Sequence, residues 1–140
     1  MKNTVTIKKK IKRFNKTISV SGDKSLSIRW ILFASLANGL SKAKNLLLSE
    51  DVLASINAIR KFGIRVRFNK KICEIQGKGI NGYKYKKNLT INLHNSGTLG
   101  RLLLGILINT PYPIKLIGDK SLSKRDFKRV ASPLSKFGAK

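Results

Sequence analysis

The sequence predicts an α/β (α+β) fold made of repeated βαβαββ units, the second of them truncated. Three observations lead there. The first is an internal repeat. Thr17-Ile18-Ser19-Val20 matches Thr90-Ile91-Asn92-Leu93 at an offset of 73, and Lys61-Phe62-Gly63 matches Lys136-Phe137-Gly138 at an offset of 75. Arg29 and Arg101 hold equivalent places at an offset of 72. The second observation is a pair of apolar runs, about 25–38 and 97–109, which read as helices covered on nearly every side. The third is the alternation of Ile64 to Phe68 and of Ile72 to Ile75 around Asn69-Lys70-Lys71, which reads as a hairpin.

The first unit, 17–75, opens with the strand at 17–20. The buried helix begins near Lys24 or Ser25 and carries Leu26, Ile28, Ile31, Leu32 and Phe33. After a second strand comes an amphipathic helix with Val52, Leu53, Ile56, Ile59 and Phe62 on one stripe. Ser49 caps its start, and Glu50 and Asp51 suit the positive end of its dipole. Gly63 stands where a C-cap belongs. The hairpin follows, and residues 76–88, with three Gly and four Lys, read as a loop. The second unit, 89–140, repeats strand, buried helix, strand and exposed helix. Its last helix carries Phe127, Val130, Ala131, Leu134 and Phe137, with Pro133 expected to kink it and Gly138 to end it. The unit stops before its own hairpin.

At 140 residues the chain has room for one domain with a modest core. Its 41% hydrophobic content fits a folded protein. No apolar run reaches the roughly 20 residues that span a bilayer, and no apolar segment follows the charged N-terminus as in a secretory signal. No membrane partner and a cytoplasmic location are expected. Cys73 is the only cysteine, so no internal disulfide and no cysteine-based metal cluster can form. It reads as a small apolar filler on an alternating strand. Thirty Lys/Arg stand against six Asp/Glu. Such a charge attracts anions, whether nucleic acid or phosphorylated small molecules, but the joint excess of Lys, Asn and Ile is also what an AT-rich genome favours. The run Lys8-Lys9-Lys10-Ile11-Lys12-Arg13 reads as the exposed side of a hairpin. No aromatic residues interleave the cations as stacking on single strands requires, so no specific nucleic-acid partner is expected.

Chemistry concentrates in three turns. Ser21-Gly22-Asp23-Lys24-Ser25-Leu26-Ser27-Ile28-Arg29 opens the first helix. Free N–H groups and the helix dipole meet there. Ser25 and Arg29, four apart, share a face, so a hydroxyl, a guanidinium and the Lys24 ammonium can converge on one anion. A Ser-capped helix with two solvated cations is the plainer reading of this segment. Asn95-Ser96-Gly97-Thr98 opens the second apolar run, with Arg101 one turn later. Gly118-Asp119-Lys120-Ser121-Leu122-Ser123 repeats six letters of the first turn, and Lys124 and Arg125 follow. Three such turns point to a ligand with more than one negative group.

SGDKSLSIR, NSGTLGRLL and LIGDKSLSKR, in this order, resemble the family of 5-enolpyruvylshikimate-3-phosphate synthase (3-phosphoshikimate 1-carboxyvinyltransferase). The segment LLLSEDVLASINAIRKFGI resembles it too. The resemblance covers nearly the whole chain but about the first third of the enzyme. The sister family, UDP-N-acetylglucosamine enolpyruvyl transferase, typically has a Gly-Ala-Lys-Asn turn in the first position, so Gly22-Asp23-Lys24-Ser25 with Arg29 favours the shikimate branch. The resemblance implies a globe of three βαβαββ units, of which 21–140 is a part. It assigns 1–20 to strands of the other globe and puts substrates between the two.

Residue by residue, the resemblance implies that Lys24 touches both substrates and is catalytic. Ser25 and Arg29 would hold shikimate 3-phosphate. Asn95, Gly97 and Arg125 would line the phosphoenolpyruvate side, with Thr98 and Arg101 supporting the turn. No cofactor and no metal are implied. Arg101 lies in an otherwise apolar helix and needs an anion or carbonyls beside it. Many relatives have Pro after the third-motif arginine, whereas here Asp126 follows Arg125 and could pair with nearby cations. His94 reads as structural. The reaction adds a hydroxyl across the enol double bond of phosphoenolpyruvate and then eliminates phosphate, which needs an acid/base pair at the methylene carbon. In the family those groups lie beyond this segment. The chain is therefore expected to be a partial enolpyruvyl transferase of chorismate and aromatic amino acid biosynthesis, inactive alone. A basic nucleic-acid-binding module, or a non-catalytic fragment docking with a chain that supplies the remainder, are the alternatives.

Overall fold

Burial of one helix stripe organises the fold. Helix α2 (Glu50–Lys61) starts at Ser49, whose Oγ accepts the Val52 N–H. It turns Val52, Ile56 and Ile59 inward, with Phe62 just past its end. These meet Ile28, Ile31 and Leu32 of α1 (Lys24–Leu36) and Ile75 of β3 (Ile72–Lys78). Each such side chain removed from water is worth about 2 kcal/mol. The structure, a computed structural model, describes residues 6, 8, 13, 15–69 and 72–139.

The remaining elements are β1 (Asn38–Lys44), β2 (Arg65–Phe68), β4 (Leu89–Asn92), α3 (Gly97–Ile106), β5 (Ile114–Ile117), a 3-10 turn at Leu122–Lys124, and α4 (Lys128–Lys136). One sheet has the order β1-β3-β2, antiparallel throughout, with Ala43 opposite Cys73 and Phe68 opposite Cys73 on its other side. This is the expected hairpin with β1 added. A second sheet pairs β4 and β5 in parallel. On the outer face of the first sheet Lys42 Nζ donates to Glu74 Oε1 at 2.7 Å. That bond and charge hold the Glu74 carboxyl below its ordinary range.

Both amphipathic helices end as expected. Gly63 (φ 77) and Gly138 (φ 90) occupy the left-handed region that glycine tolerates. The Gly63 and Ile64 amides return to Arg60 and Ile59, and those of Gly138 and Ala139 return to Ser135 and Leu134.

Other expectations need correction. Residues 17–20 form no strand. Ile18 and Val20 are about 70% exposed, and among the described residues the segment's one hydrogen bond is from the Asn45 side-chain amide to the Val20 carbonyl. An extended segment without a ladder partner cannot be a strand. Most of the 1–20 segment, including most of the Lys8–Arg13 run, lies outside the described residues. The helices read as covered on every side run Lys24–Leu36 and Gly97–Ile106, and they are not covered all round. Leu26 and Phe33 of α1 stay about two-thirds exposed, because no described element packs there. The stripe of α4 buries nothing fully, and Phe137 is 89% exposed. That helix continues through Pro133 to Lys136. The loop expected at 76–88 begins later, since β3 runs to Lys78. It is also anchored: Tyr83 stacks on Phe62 at 4.6 Å and its hydroxyl meets Ser35 Oγ at 2.6 Å.

A Cβ on Gly77 would collide with the Ala34 and Ala37 carbonyl oxygens where α1 descends onto β3. Gly77→Ala should cost about 3 kcal/mol in urea unfolding, whereas Gly105→Ala, with open space around it in α3, should gain roughly 0.5–1 kcal/mol. Burial pushes the Cys73 thiol up to about 11. At pH 8 it should therefore resist a disulfide reagent and react at the rate of unfolding; fast reaction in the native chain would contradict this packing.

Candidate functional site

The repeated hexapeptide builds the same local structure twice. Asp23 Oδ1 accepts the Leu26 N–H at 2.7 Å, and Ser27 returns its N–H and Oγ to the Asp23 carbonyl at 3.0 and 2.6 Å. Asp119 Oδ1 accepts the Leu122 N–H at 2.6 Å, and Ser123 returns its N–H and Oγ to the Asp119 carbonyl at 2.9 and 2.8 Å. The cap of α1 is thus Asp23, not a serine. The copies then diverge. Apolar residues after Ser27 extend a helix of 13 residues, whereas Lys124-Arg125-Asp126 end the second copy after one 3-10 turn.

Lys24 is the first residue of α1, and its Nζ lies 3.1 Å from Asp51 in the first turn of α2. Ser25 is half-buried and Arg29, one turn on, is exposed. Among the described residues neither makes a side-chain hydrogen bond or ion pair. No bond joins Lys24, Ser25 or Arg29 to the second group of expected residues. The link is α2 itself: Asp51 holds Lys24, while Glu50 lines a cleft of about 220 Å³ shared with Asn95, His94, Gly118 and Asp119.

The second and third turns do come together. Ser96 caps α3, with its Oγ accepting the Leu99 N–H. Gly97 is the first helical residue and is buried. A Cβ placed on it would lie 3.0 Å from Arg125 Nη1 and 3.3 Å from Arg101 Nη1, so two guanidinium groups flank one helix N-terminus. Thr98, half-buried, follows in the same turn. Arg125 Nη2 donates to Asn95 Oδ1 at 2.5 Å. Arg101 Nη2 reaches the Asp126 carbonyl at 3.5 Å, and its guanidinium lies 5.6 Å from the centre of the Phe127 ring. Its Nε is buried with no hydrogen-bond partner among the described residues. Among the described residues no carboxylate pairs with either arginine; the ion pairs are Lys24–Asp51 and Lys42–Glu74. Among the described residues Asp126 pairs with no cation; it accepts the Lys128 N–H at the start of α4. Such an arrangement suits a small anion.

Sequence reasoning overlooked Asp119, whose second oxygen accepts Asn95 Nδ2 at 2.7 Å. The repeated hexapeptide marked its cap, but no local signal marks a bond across 24 residues. His94 is exposed in the left-handed region (φ 52), and its carbonyl accepts the Asp119 N–H at 2.8 Å. Through this backbone bond it ties the turn after β4 to the turn after β5. No group of three or more His, Cys, Asp and Glu suited to a metal occurs among the described residues. No described helix is long and apolar enough to cross a membrane.

A solved structure of EPSP synthase from Acinetobacter baumannii superposes on this fold with a TM-score of 0.82. The match has 37% identity and covers 88% of this chain and 28% of that one. The α/β fold of this chain is therefore the fold of the matching part of that structure. Residues 8–140 match the model of EPSP synthase (3-phosphoshikimate 1-carboxyvinyltransferase). The 3-phosphoshikimate 1-carboxyvinyltransferase of Sulfurihydrogenibium sp. (strain YO3AOP1) is 45% identical over 132 residues, covering 94% of this chain and 30% of the relative. That of Bacillus subtilis (strain 168) is 40% identical over 131 residues, with the same coverage. The chain belongs to the EPSP synthase family, and it spans about 30% of the length of these curated relatives.

Loss of the first cap tests the local geometry. Asp23→Ala should lower stability by about 1 kcal/mol and speed amide exchange in the first turn of α1, while Asp23→Ser should restore most of the loss.

Proposed function

We propose that this chain supplies the part of an enolpyruvyl-transfer site that grips the anionic groups of both substrates. Lys24, Ser25 and Arg29 hold shikimate 3-phosphate. Lys24, Asn95, Gly97 and Arg125 hold phosphoenolpyruvate, with Thr98 and Arg101 supporting the turn. The observation that carries this reading is the pair of guanidinium groups flanking Gly97 at the start of α3, without a carboxylate partner among the described residues. A helix N-terminus adds roughly half a positive charge to theirs. Forked guanidinium donors match carboxylate and phosphate oxygens, and glycine lets a ligand approach the backbone. Lys24 is the catalytic residue of the set, and it must exchange or share Asp51 when substrate arrives.

Transfer also needs a group that protonates and deprotonates the methylene carbon. Five of the six acidic side chains already have bonding partners. Asp23, Asp119 and Asp126 accept backbone N–H groups, and Asp51 and Glu74 are ion-paired. Glu50 lines the cleft. A pair is needed and Glu50 has no second unengaged carboxylate beside it among the described residues, which supports a chain that is inactive alone, whose acid/base groups come from the part of the relatives it does not span. A complementary chain carrying that part is the partner of choice.

In NMR titration, millimolar shikimate 3-phosphate should move the Gly22–Ser27 amides, and phosphoenolpyruvate the Asn95–Thr98 amides. A folded chain that shows neither response would overturn the reading. Purified alone, the chain should turn over no substrate above background. Co-expressed with the remaining part of a relative, it should regain transfer, and Lys24→Ala should lower that activity by roughly 100-fold or more. Its half-exposed ion pair is worth less than about 1 kcal/mol, so unfolding would not explain the loss. Activity that survives Lys24→Ala would remove Lys24 from the site.

A further inference from the structure

We propose that Asp119 is a positioning residue for the anion cradle at Gly97, acting through Asn95 on Arg125. The proposal rests on reading that cradle as the phosphoenolpyruvate side. Asp119 uses its two oxygens for different purposes. Oδ1 caps the 3-10 turn through the Leu122 N–H, and Oδ2 accepts Asn95 Nδ2 at 2.7 Å. An amide whose nitrogen is held in this way must present its oxygen on the other side. Asn95 Oδ1 is there, and Arg125 Nη2 donates to it. The guanidinium is a planar, rigid fork. Holding Nη2 therefore fixes Nη1, the atom 3.0 Å from the point a Gly97 Cβ would occupy.

The twin hexapeptide supplies an internal comparison. Asp23 makes the same cap, but among the described residues it accepts no side-chain donor. The second contact belongs to the copy that faces Asn95. Backbone bonds fix the distance it spans, with the Asp119 N–H on the His94 carbonyl and the Leu93 N–H on the Ile117 carbonyl, both at 2.8 Å. The carboxylate is thus held in register with the turn it orients.

Two physical effects give opposite signs. A carboxylate close to an anion site repels the anion, so Coulomb's law alone makes removal of Asp119 tighten binding. Positioning makes removal loosen it, because Asn95 and Arg125 lose their fixed orientation. The discriminating variant is Asp119→Ser, which keeps a good capping oxygen but is too short to reach Asn95. In the ligand-free protein, the Asn95 side-chain amide and the Arg125 Nε–H should leave their native NMR positions. On titration with inorganic phosphate, the Gly97 amide should report affinity lowered roughly five-fold or more, while the Gly22–Ser27 amides keep theirs within about two-fold. Asn95→Ala, which leaves the cap untouched, should reproduce the Arg125 change if Asp119→Ser fails to fold. Phosphate affinity at Gly97 that is unchanged or raised would overturn the proposal, as would an unmoved Asn95 amide. If the native protein shows no phosphate response at Gly97, the cradle reading fails. Positioning is then decided by the Asn95 and Arg125 signals without ligand.

Discussion

The parallel pairing of β4 with β5 is the constraint on which the site depends. Parallel strands end on the same side of a sheet, so the turns that follow them must meet. Here those turns are 94–97 and 118–121. The ladder runs on past both strands through Leu93 N–H to Ile117 and Asp119 N–H to His94. An antiparallel pair would have sent the two turns to opposite ends. The bonds between Asp119, Asn95 and Arg125, and the placement of two guanidiniums beside Gly97, are consequences of that direction.

Charge takes its meaning from this geometry. Thirty cationic side chains on one short chain could attract almost any anion. What distinguishes Arg101 and Arg125 is how they are held. Arg101 is fixed by the Asp126 carbonyl and the Phe127 ring, and Arg125 by Asn95. Several acidic residues, meanwhile, serve as caps and turn acceptors rather than counter-ions. Asp23, Asp119 and Asp126 all accept backbone N–H groups, and among the described residues no carboxylate pairs with either arginine.

Features set by neighbouring residues were readable in the sequence. The repeated Gly-Asp-Lys-Ser-Leu-Ser segment makes the same bonds twice, and Gly63 and Gly138 end their helices in the same way, because caps and turns are local. Features set at a distance were not. Asp119 looked like a turn residue, since nothing nearby shows that Asn95 lies within 2.7 Å. Tyr83 and Tyr85 looked like loop residues, although they pack on Phe62. The strand at 17–20 failed because a repeat records likeness of sequence and not a ladder partner, and no described strand pairs with it. Leu26, Phe33 and Phe137 show that an apolar pattern marks which faces can be buried without saying what covers them.

Anomalous diffraction from crystals of the chain soaked in selenate tests the central claim most directly. The account predicts a selenium peak beside the Gly97 amide, with oxygens within hydrogen-bond reach of Arg125, with Arg101 still beside the turn and with β4 and β5 still parallel. A well-ordered structure in which the two guanidiniums point apart, and selenate binds only at scattered surface lysines, would contradict it.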